Sequence, residues 1–203
     1  SITGWRERDG EVVVTTDEGT FRAANLILTP GAWAPGLLDK LRMPLEVRKK
    51  HLYWFRCPEK RYRDSAGFPS FVFETPEGFF YGFPSIDAES IKVAMHSGGD
   101  KVEDPLGIDR GLNEEDLAAT RDFLDRYLPG VEHDILRHEI CFYTCTPDEH
   151  FILDRYPGSE KVVFAAGLSG HGFKFTSVLG DILACMSSGA DHGLSIDFLG
   201  AGR

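Results

Sequence analysis

The run KVVFAAGLSGHGFKFTSVLGDILACMSSG, residues 161–189, restricts the fold of this chain more than any other stretch. Its opening VVFAA is an unbroken apolar run too short for a helix, which reads as a strand buried on both faces. Gly167, Gly170 and Gly172 follow at once, and an apolar helical pattern begins inside or just after them. Glycines there let the backbone turn sharply and leave N–H groups at a helix start, an arrangement suited to an anion or an electron-rich ring edge. The order is GxxGxG rather than GxGxxG, and no acidic residue follows at the ribose-binding distance, so a dinucleotide loop is not implied. A tight strand-to-helix turn with no ligand accounts for the glycines equally well. Lys174, close to His171 in the same turn, is less ordinary. A cation at a helix start opposes the macrodipole, which points to a paired anion such as a substrate carboxylate.

The rest of the chain supplies mostly strands. Residues 11–33 alternate apolar and polar side chains around Asp17-Glu18-Gly19, a hairpin pattern, and continue into Leu26–Leu28, expected to be a buried strand ended by Pro30-Gly31. A short helical segment, APGLLDKL, precedes another strand in PLEVRKKHLYWFRC, whose charged EVRKKH portion reads as a solvated edge. Between Phe68 and Gly98 three short strands with turns at Pro76-Glu77-Gly78 and Pro84-Ser85 predict an antiparallel sheet rich in aromatics. Asn113 is placed to cap a helix with acidic residues in its first turn and an apolar stripe of Leu117, Phe123, Leu124, Tyr127 and Leu128, stopped by Pro129-Gly130. EICFYTCTPDEHFILDRYPG then predicts two strands around a Pro147 turn. The fold class expected is α+β. Residues 1–45 and 141–203 read as parts of one domain, with an antiparallel-sheet domain over 46–140 inserted between them.

At 203 residues and a net charge of −10, the chain is long enough for a sizeable core and too acidic for nucleic acid to be a default partner. No apolar stretch approaches the roughly 20 residues of a membrane span. The N-terminus, SITGWRERDG, has neither an initiator Met nor an apolar signal region, and reads as the middle of something longer. Four scattered cysteines, Cys57, Cys141, Cys145 and Cys185, form no disulfide framework, so a reduced cytoplasmic setting is expected.

Several constellations could carry chemistry. Cys141 and Cys145, with His150 and Asp154 downstream, lack the knuckle spacing of a zinc site, so no metal is expected. Buried structural thiols, or covalent attachment of a cofactor through one of them, remain. Lys92 and His96 share a strand face by the period of two, and with Tyr81 on the neighbouring strand could line a pocket; a solvated face is the alternative. Ser169 beside His171 fails the GxSxG spacing of a hydrolase elbow, and no Asp–His pair follows in order.

CFYTCTPDEHFILD, then a strand, then AAGLSGHGFKFTSVLGDIL, closely resembles the C-terminal part of the monomeric sarcosine oxidase and N-methyltryptophan oxidase group, within the wider D-amino-acid-oxidase-like superfamily. FYGFPS, IKVAMH and the DEGTFRAANLILTPGAW hairpin extend the resemblance over nearly the whole chain, and HSGG lies closer to the N-methyltryptophan enzymes. The resemblance implies FAD and oxidation of a small N-methyl amino acid by O2, giving formaldehyde and H2O2 from an enzyme that is a monomer at full length. Cys141 matches the cysteine that carries the covalent flavin link. Lys92 matches the lysine beside flavin N5 associated with oxygen activation, and Lys174 the partner of the substrate carboxylate. His96, Tyr81 and Tyr143 match residues lining the substrate pocket, and Gly167, Gly170, His171 and Gly172 fall in the turn that approaches the flavin.

One departure from the family is large. Its opening strand–GxGxxG–helix unit has no counterpart here, nor has the N-terminal arginine that also binds the substrate carboxylate. The fold implied is therefore a partial Rossmann-like FAD-binding domain lacking its first βαβ unit, and the chain alone is expected to be inactive. A non-catalytic remnant that associates with other chains or binds a small acid is the alternative.

Overall fold

The computed structural model describes residues 1–203 as two compact units, Ser1–Val47 with Tyr143–Arg203 and Arg48–Phe142. In the first unit, β1 (Ile2–Arg8), β2 (Glu11–Thr16) and β3 (Gly19–Ala23) form an antiparallel meander. A second sheet of three strands has the order β11-β12-β4, with β4 spanning Leu26–Leu28, β11 Ile152–Arg155 and β12 Val162–Ala166. β12 runs parallel to β4 and antiparallel to β11. All five residues of β12 are buried, and their alternation explains why the run is unbroken. Val162, Phe164 and Ala166 pack with Val12, Leu28 and Leu38, whereas Val163 and Ala165 pack with Leu179, Ile182 and Leu183 of helix α3 (Thr176–Ser188). The single-turn helix α1 (Ala34–Leu37) lies just before Leu38. The expectation that Leu26–Leu28 is a buried strand holds only for Leu28. Ile27 is 41% exposed, because β4 is an edge strand covered by β12 on one side only.

The second unit is built on a six-stranded sheet in which β10-β5-β8-β7-β6 are successive neighbours and β9 pairs with β5. Here β5 is Glu46–Arg56, β6 Phe71–Thr75, β7 Gly78–Phe83, β8 Ser90–Met95, β9 Asp100–Lys101 and β10 Ile135–Cys145. β5 pairs antiparallel with β8 and β9, and β7 antiparallel with β6 and β8. Helix α2 (Glu114–Tyr127) starts where Asn113 Oδ1 accepts from the Asp116 amide at 3.0 Å, with three acidic residues in its first turn. Leu117, Phe123 and Leu124 meet Tyr53, Phe55, Phe80, Ile91 and Val93 of the sheet, and Phe80 stacks on Phe123 at 4.4 Å. Each such side chain, fully buried, contributes about 2 kcal/mol before its ordering cost.

One local expectation is corrected. EVRKKH is no solvated edge: β5 lies between β10 and β8, and Lys50 and His51 are 1% and 3% exposed. Charge in a strand is compatible with an interior position when each charged head finds a partner, as Lys50 does on two backbone carbonyls. The two strands expected around Pro147 are present as β10 and β11, and they join different sheets: β10 the six-stranded one, while β11 pairs with β12.

Candidate active site

The helix-free face of the second unit's sheet gathers four of the residues singled out in the sequence. Lys92 lies opposite Trp54 on β5 and Phe83 on β7. Its Nζ sits 5.0 Å from the Trp54 ring centre and 5.2 Å from that of Phe83, so the ammonium rests on aromatic surface rather than in open water. The Arg137 guanidinium on β10 lies 4.6 Å from the same Trp54 ring. An open cleft of about 740 Å³ is lined by Trp54, Ser70, Phe83, Lys92 and Arg137 among others. His96, one residue past β8, is anchored by its amide to the Phe79 carbonyl at 2.6 Å, and its ring lies 5.3 Å from Phe79 and 6.2 Å, edge-on, from Tyr81.

Cys141 belongs to this constellation electrostatically. Burial pushes its thiol up, while the positive charges of Lys92 and then Lys50 pull it back. Burial likewise pulls the Lys92 ammonium down; Cys141 opposes that change and Arg137 adds to it. The result is a half-buried thiol and a partly desolvated lysine, each tuned by the other. A lysine brought down in this way gives up its proton more readily than a solvated one.

The other residues lie in the first unit, around the glycine turn. Gly167 has φ +62°, and a Cβ there would stand 2.5 Å from Thr146 Cγ2. Gly170 has φ +77°, and a Cβ would overlap the ring of Tyr143. Ser169, 5% exposed, stitches the turn to the end of β10. Its amide donates to the Thr144 carbonyl at 2.9 Å, its Oγ accepts from the Thr146 amide at 3.3 Å, and its hydroxyl donates to the Gly167 carbonyl at 3.1 Å. That hydroxyl is structural, in line with its failing the hydrolase spacing. His171 Nε2 donates to the Glu149 carbonyl at 2.9 Å and the ring packs 4.8 Å from Phe151. Gly172 closes against Leu168. Lys174 stands exposed in a 3-10 turn over Phe173–Phe175, its Nζ 5.4 Å from the Phe175 ring, ahead of α3. The turn thus holds its own backbone tightly and presents its cation to solvent.

Sequence reasoning missed Lys50, Trp54, Arg137 and Phe83. The signal was present in the alternation of β5, where Lys50, Leu52 and Trp54 share one parity and His51, Tyr53 and Phe55 the other, but the charge run obscured it.

Residues 1–186 match the family model described as FAD dependent oxidoreductase (DAO). Monomeric sarcosine oxidase from Arthrobacter sp. (strain TE1826) is 40% identical over 190 residues, covering 91% of this chain and 49% of the relative. N-methyl-L-tryptophan oxidase from Yersinia pestis (strain Pestoides F) is 36% identical over 185 residues, covering 90% and 48%. The open form of NikD, an unusual amino acid oxidase essential for nikkomycin biosynthesis, superimposes with a TM-score of 0.80 at 23% identity, covering 98% of this chain and 53% of that one. The chain therefore spans about half the length of the curated relatives it matches. The match over residues 1–186, on a chain with this strand–glycine turn–helix and α+β architecture, makes it a member of the FAD-dependent oxidoreductase (DAO) family.

Proposed function

We propose that this chain is part of a flavin-dependent oxidase of small N-methyl amino acids, of the sarcosine or N-methyltryptophan type, with O2 as acceptor. The observation that carries the reading is Lys92, held against Trp54 and Phe83 on an open aromatic sheet face and in mutual electrostatic reach of the Cys141 thiol. Those residues fit a flavin. A flat ring system suits the aromatic face, and a thiol on which the Lys92 charge acts suits covalent attachment. Bound there, FAD would supply a hydride acceptor for the C–H beside the substrate nitrogen and return the electrons to O2 as H2O2, the imine hydrolysing to formaldehyde and amine.

The chain's own residues divide the remaining work. Cys141 would hold the flavin covalently. Lys92, positively charged and partly dehydrated, would favour negative charge developing on oxygen. Lys174 would pair with the substrate carboxylate, and Tyr81, His96 and Tyr143 would line the side-chain pocket. His171 would keep the glycine turn in shape through its bond to Glu149. On this reading residues 46–140 are the substrate domain inserted between the two flavin-domain segments 1–45 and 141–203, and the working enzyme is monomeric. Because the chain spans about half its relatives, it is expected not to turn over substrate alone.

The test is to join the chain to the portion of the Arthrobacter sarcosine oxidase that it does not span. The fusion is expected to show a flavin-fluorescent band on a denaturing gel, lost in Cys141→Ser, and H2O2 formation dependent on an N-methyl amino acid. A flavin band that survives Cys141→Ser, or H2O2 production by the chain alone, would overturn the assignment.

A further inference from the structure

An exposed lysine such as Lys174 can meet a carboxylate reproducibly only if the short segment that carries it is fixed. Both ends of that segment rest on the turn after Pro147. At one end His171 Nε2 donates to the Glu149 carbonyl at 2.9 Å, and its ring lies 4.8 Å from that of Phe151. At the other end the Phe175 ring meets Phe151 edge-on at 5.5 Å. Phe151, 8% exposed, is thus shared between the two. The support is itself under strain. Glu149 has φ +59° and Ser169, in the glycine turn, has φ +49°, a left-handed region that non-glycine residues keep only where their surroundings hold them there.

Arg203 supplies that hold. Its Nε donates to Asp148 Oδ2 at 2.8 Å and its Nη2 to Asp148 Oδ1 at 3.2 Å, a two-pronged ion pair. Nη2 also donates to the His150 carbonyl at 2.9 Å, and Nη1 to the carbonyls of Phe151 at 3.0 Å and Gly200 at 3.2 Å. These five bonds occupy every N–H of the guanidinium. Asp148 Oδ1 in turn accepts from the His150 amide at 3.1 Å. One side chain therefore fixes residues 148, 150 and 151, which enclose the carbonyl that holds His171 and carry the ring that holds Phe175.

We propose that Arg203 is a positioning residue for Lys174, clamping the 148–151 turn so that His171 and Phe175 fix the segment between them. That Lys174 then meets a substrate carboxylate rests on the function proposed above; the clamp does not. Lysine is no substitute at this position, because a single ammonium cannot fork onto the carboxylate and reach the neighbouring carbonyls as well.

The experiment is amide hydrogen exchange in the purified chain, read by NMR at Ser169, His171 and Phe175, whose N–H groups bond to the carbonyls of Thr144, Leu168 and Gly172. The amides of β12 serve as the reference. In Arg203→Met, exchange at the three should quicken about tenfold or more, as expected for the loss of charge-assisted bonds, with β12 within about twofold of the parent. Arg203→Lys should restore only part of the protection. Asp148→Asn should open the same amides, and adding it to Arg203→Met should change little further, since both break one clamp. Unchanged exchange at His171 and Phe175 overturns the proposal. So does a quickening that spreads evenly into β12, which would make Arg203 a support of the whole unit. If Arg203→Met fails to fold, as judged by circular dichroism, Arg203→Lys carries the comparison with the same two overturning results. No flavin is needed in this assay. In the fusion described above, Arg203→Met should raise KM for the N-methyl amino acid about tenfold with kcat within about twofold. A fall in kcat at unchanged KM would overturn the link to Lys174. A fusion that makes no H2O2, together with the stated exchange response, would sink the flavin reading and leave the clamp standing.

Discussion

Acidification should loosen the sheet unit through a pair of histidines on the sheet face that packs against α2. His51 Nδ1 and His138 Nε2 are 2.9 Å apart, so one ring must donate to the other and both cannot be charged without losing the bond. Burial draws His51 below its ordinary value; Asp116 on α2 opposes this, Lys49 and His138 add to it, and Asp100 on β9 opposes it. For His138 burial again leads, Glu139 and Asp116 oppose it, and Lys49 adds to it. The Tyr53 hydroxyl lies in the same buried patch, pushed far up by burial and then by Asp116, so it stays neutral and offers no counter-charge.

A histidine held below its unfolded value of about 6.5 binds fewer protons folded than unfolded. Its contribution is therefore complete above pH 6.5 and is lost as the pH falls below it. The ceiling is about 1.4 kcal/mol per pH unit for each ring. His51, almost fully buried, should approach that slope, while His138, partly exposed, should contribute a screened fraction. Asp87 does not confuse the window. Burial pushes it up, but hydrogen bonds from Ser90 and the Glu89 amide more than offset this and hold it at about 2. The assay is urea unfolding between pH 7.5 and 5.5, followed by Trp54 fluorescence in a Trp5→Phe, Trp33→Phe background. The parent should lose on the order of 1–2 kcal/mol over that range, and His138→Gln, which keeps a donor where Nε2 stands but cannot titrate, should lose visibly less. Equal losses in the two proteins would show that the pair does not govern acid sensitivity.

Three shorter expectations follow from the same geometry. Gly170→Ala forces a side chain into φ +77° and into the Tyr143 ring, and should destabilise the first unit by about 2–3 kcal/mol in chemical unfolding; Gly180→Ala, in α3 with nothing within 4 Å, should be neutral or stabilising by up to about 1 kcal/mol. Asn113→Ala removes the cap on the Asp116 amide and should cost about 1 kcal/mol in the urea transition, with Asn113→Asp close to the parent. Lys92→Met removes the leading positive charge acting on Cys141, so iodoacetamide alkylation of that thiol at about pH 8, read by mass spectrometry of the Cys141 peptide, should slow; an unchanged rate would show that Lys92 does not reach it.

The elements that could be read from the sequence are those whose evidence is local. The Asn113 cap and the stripe through Leu117, Phe123 and Leu124 define α2 without reference to anything else, and the VVFAA run announces a strand covered on both faces. The glycine turn could be placed because positive φ at Gly167 and Gly170 is a requirement of single residues. What could not be read depends on partners distant in the chain. Lys50 and His51 look solvated until β8 and β10 are known to flank β5, and the acceptors of Lys50 lie 47 and 48 residues away. Ser169 reads only as a hydroxyl that fails the hydrolase spacing, and its hold on the turn is legible once Thr144 and Thr146 arrive beside it. Ile27 looks like its neighbour Leu28 because one sequence cannot say which flank of β4 is left open.

The two-sided burial of β12 has a consequence for how this chain can vary in length. Residues 162, 164 and 166 serve one packing layer and 163 and 165 the other, so inserting or deleting a single residue inside the strand would exchange the two sets. The register of the following turn, with Gly167 beside Thr146 and Ser169 bonded to Thr144, would slip by the same step. Length changes should therefore be absorbed before Lys161, in the exposed Pro157–Gly158 bend, or after the α3 terminus at Gly189. Between those points the chain behaves as a ruler whose divisions place Lys174.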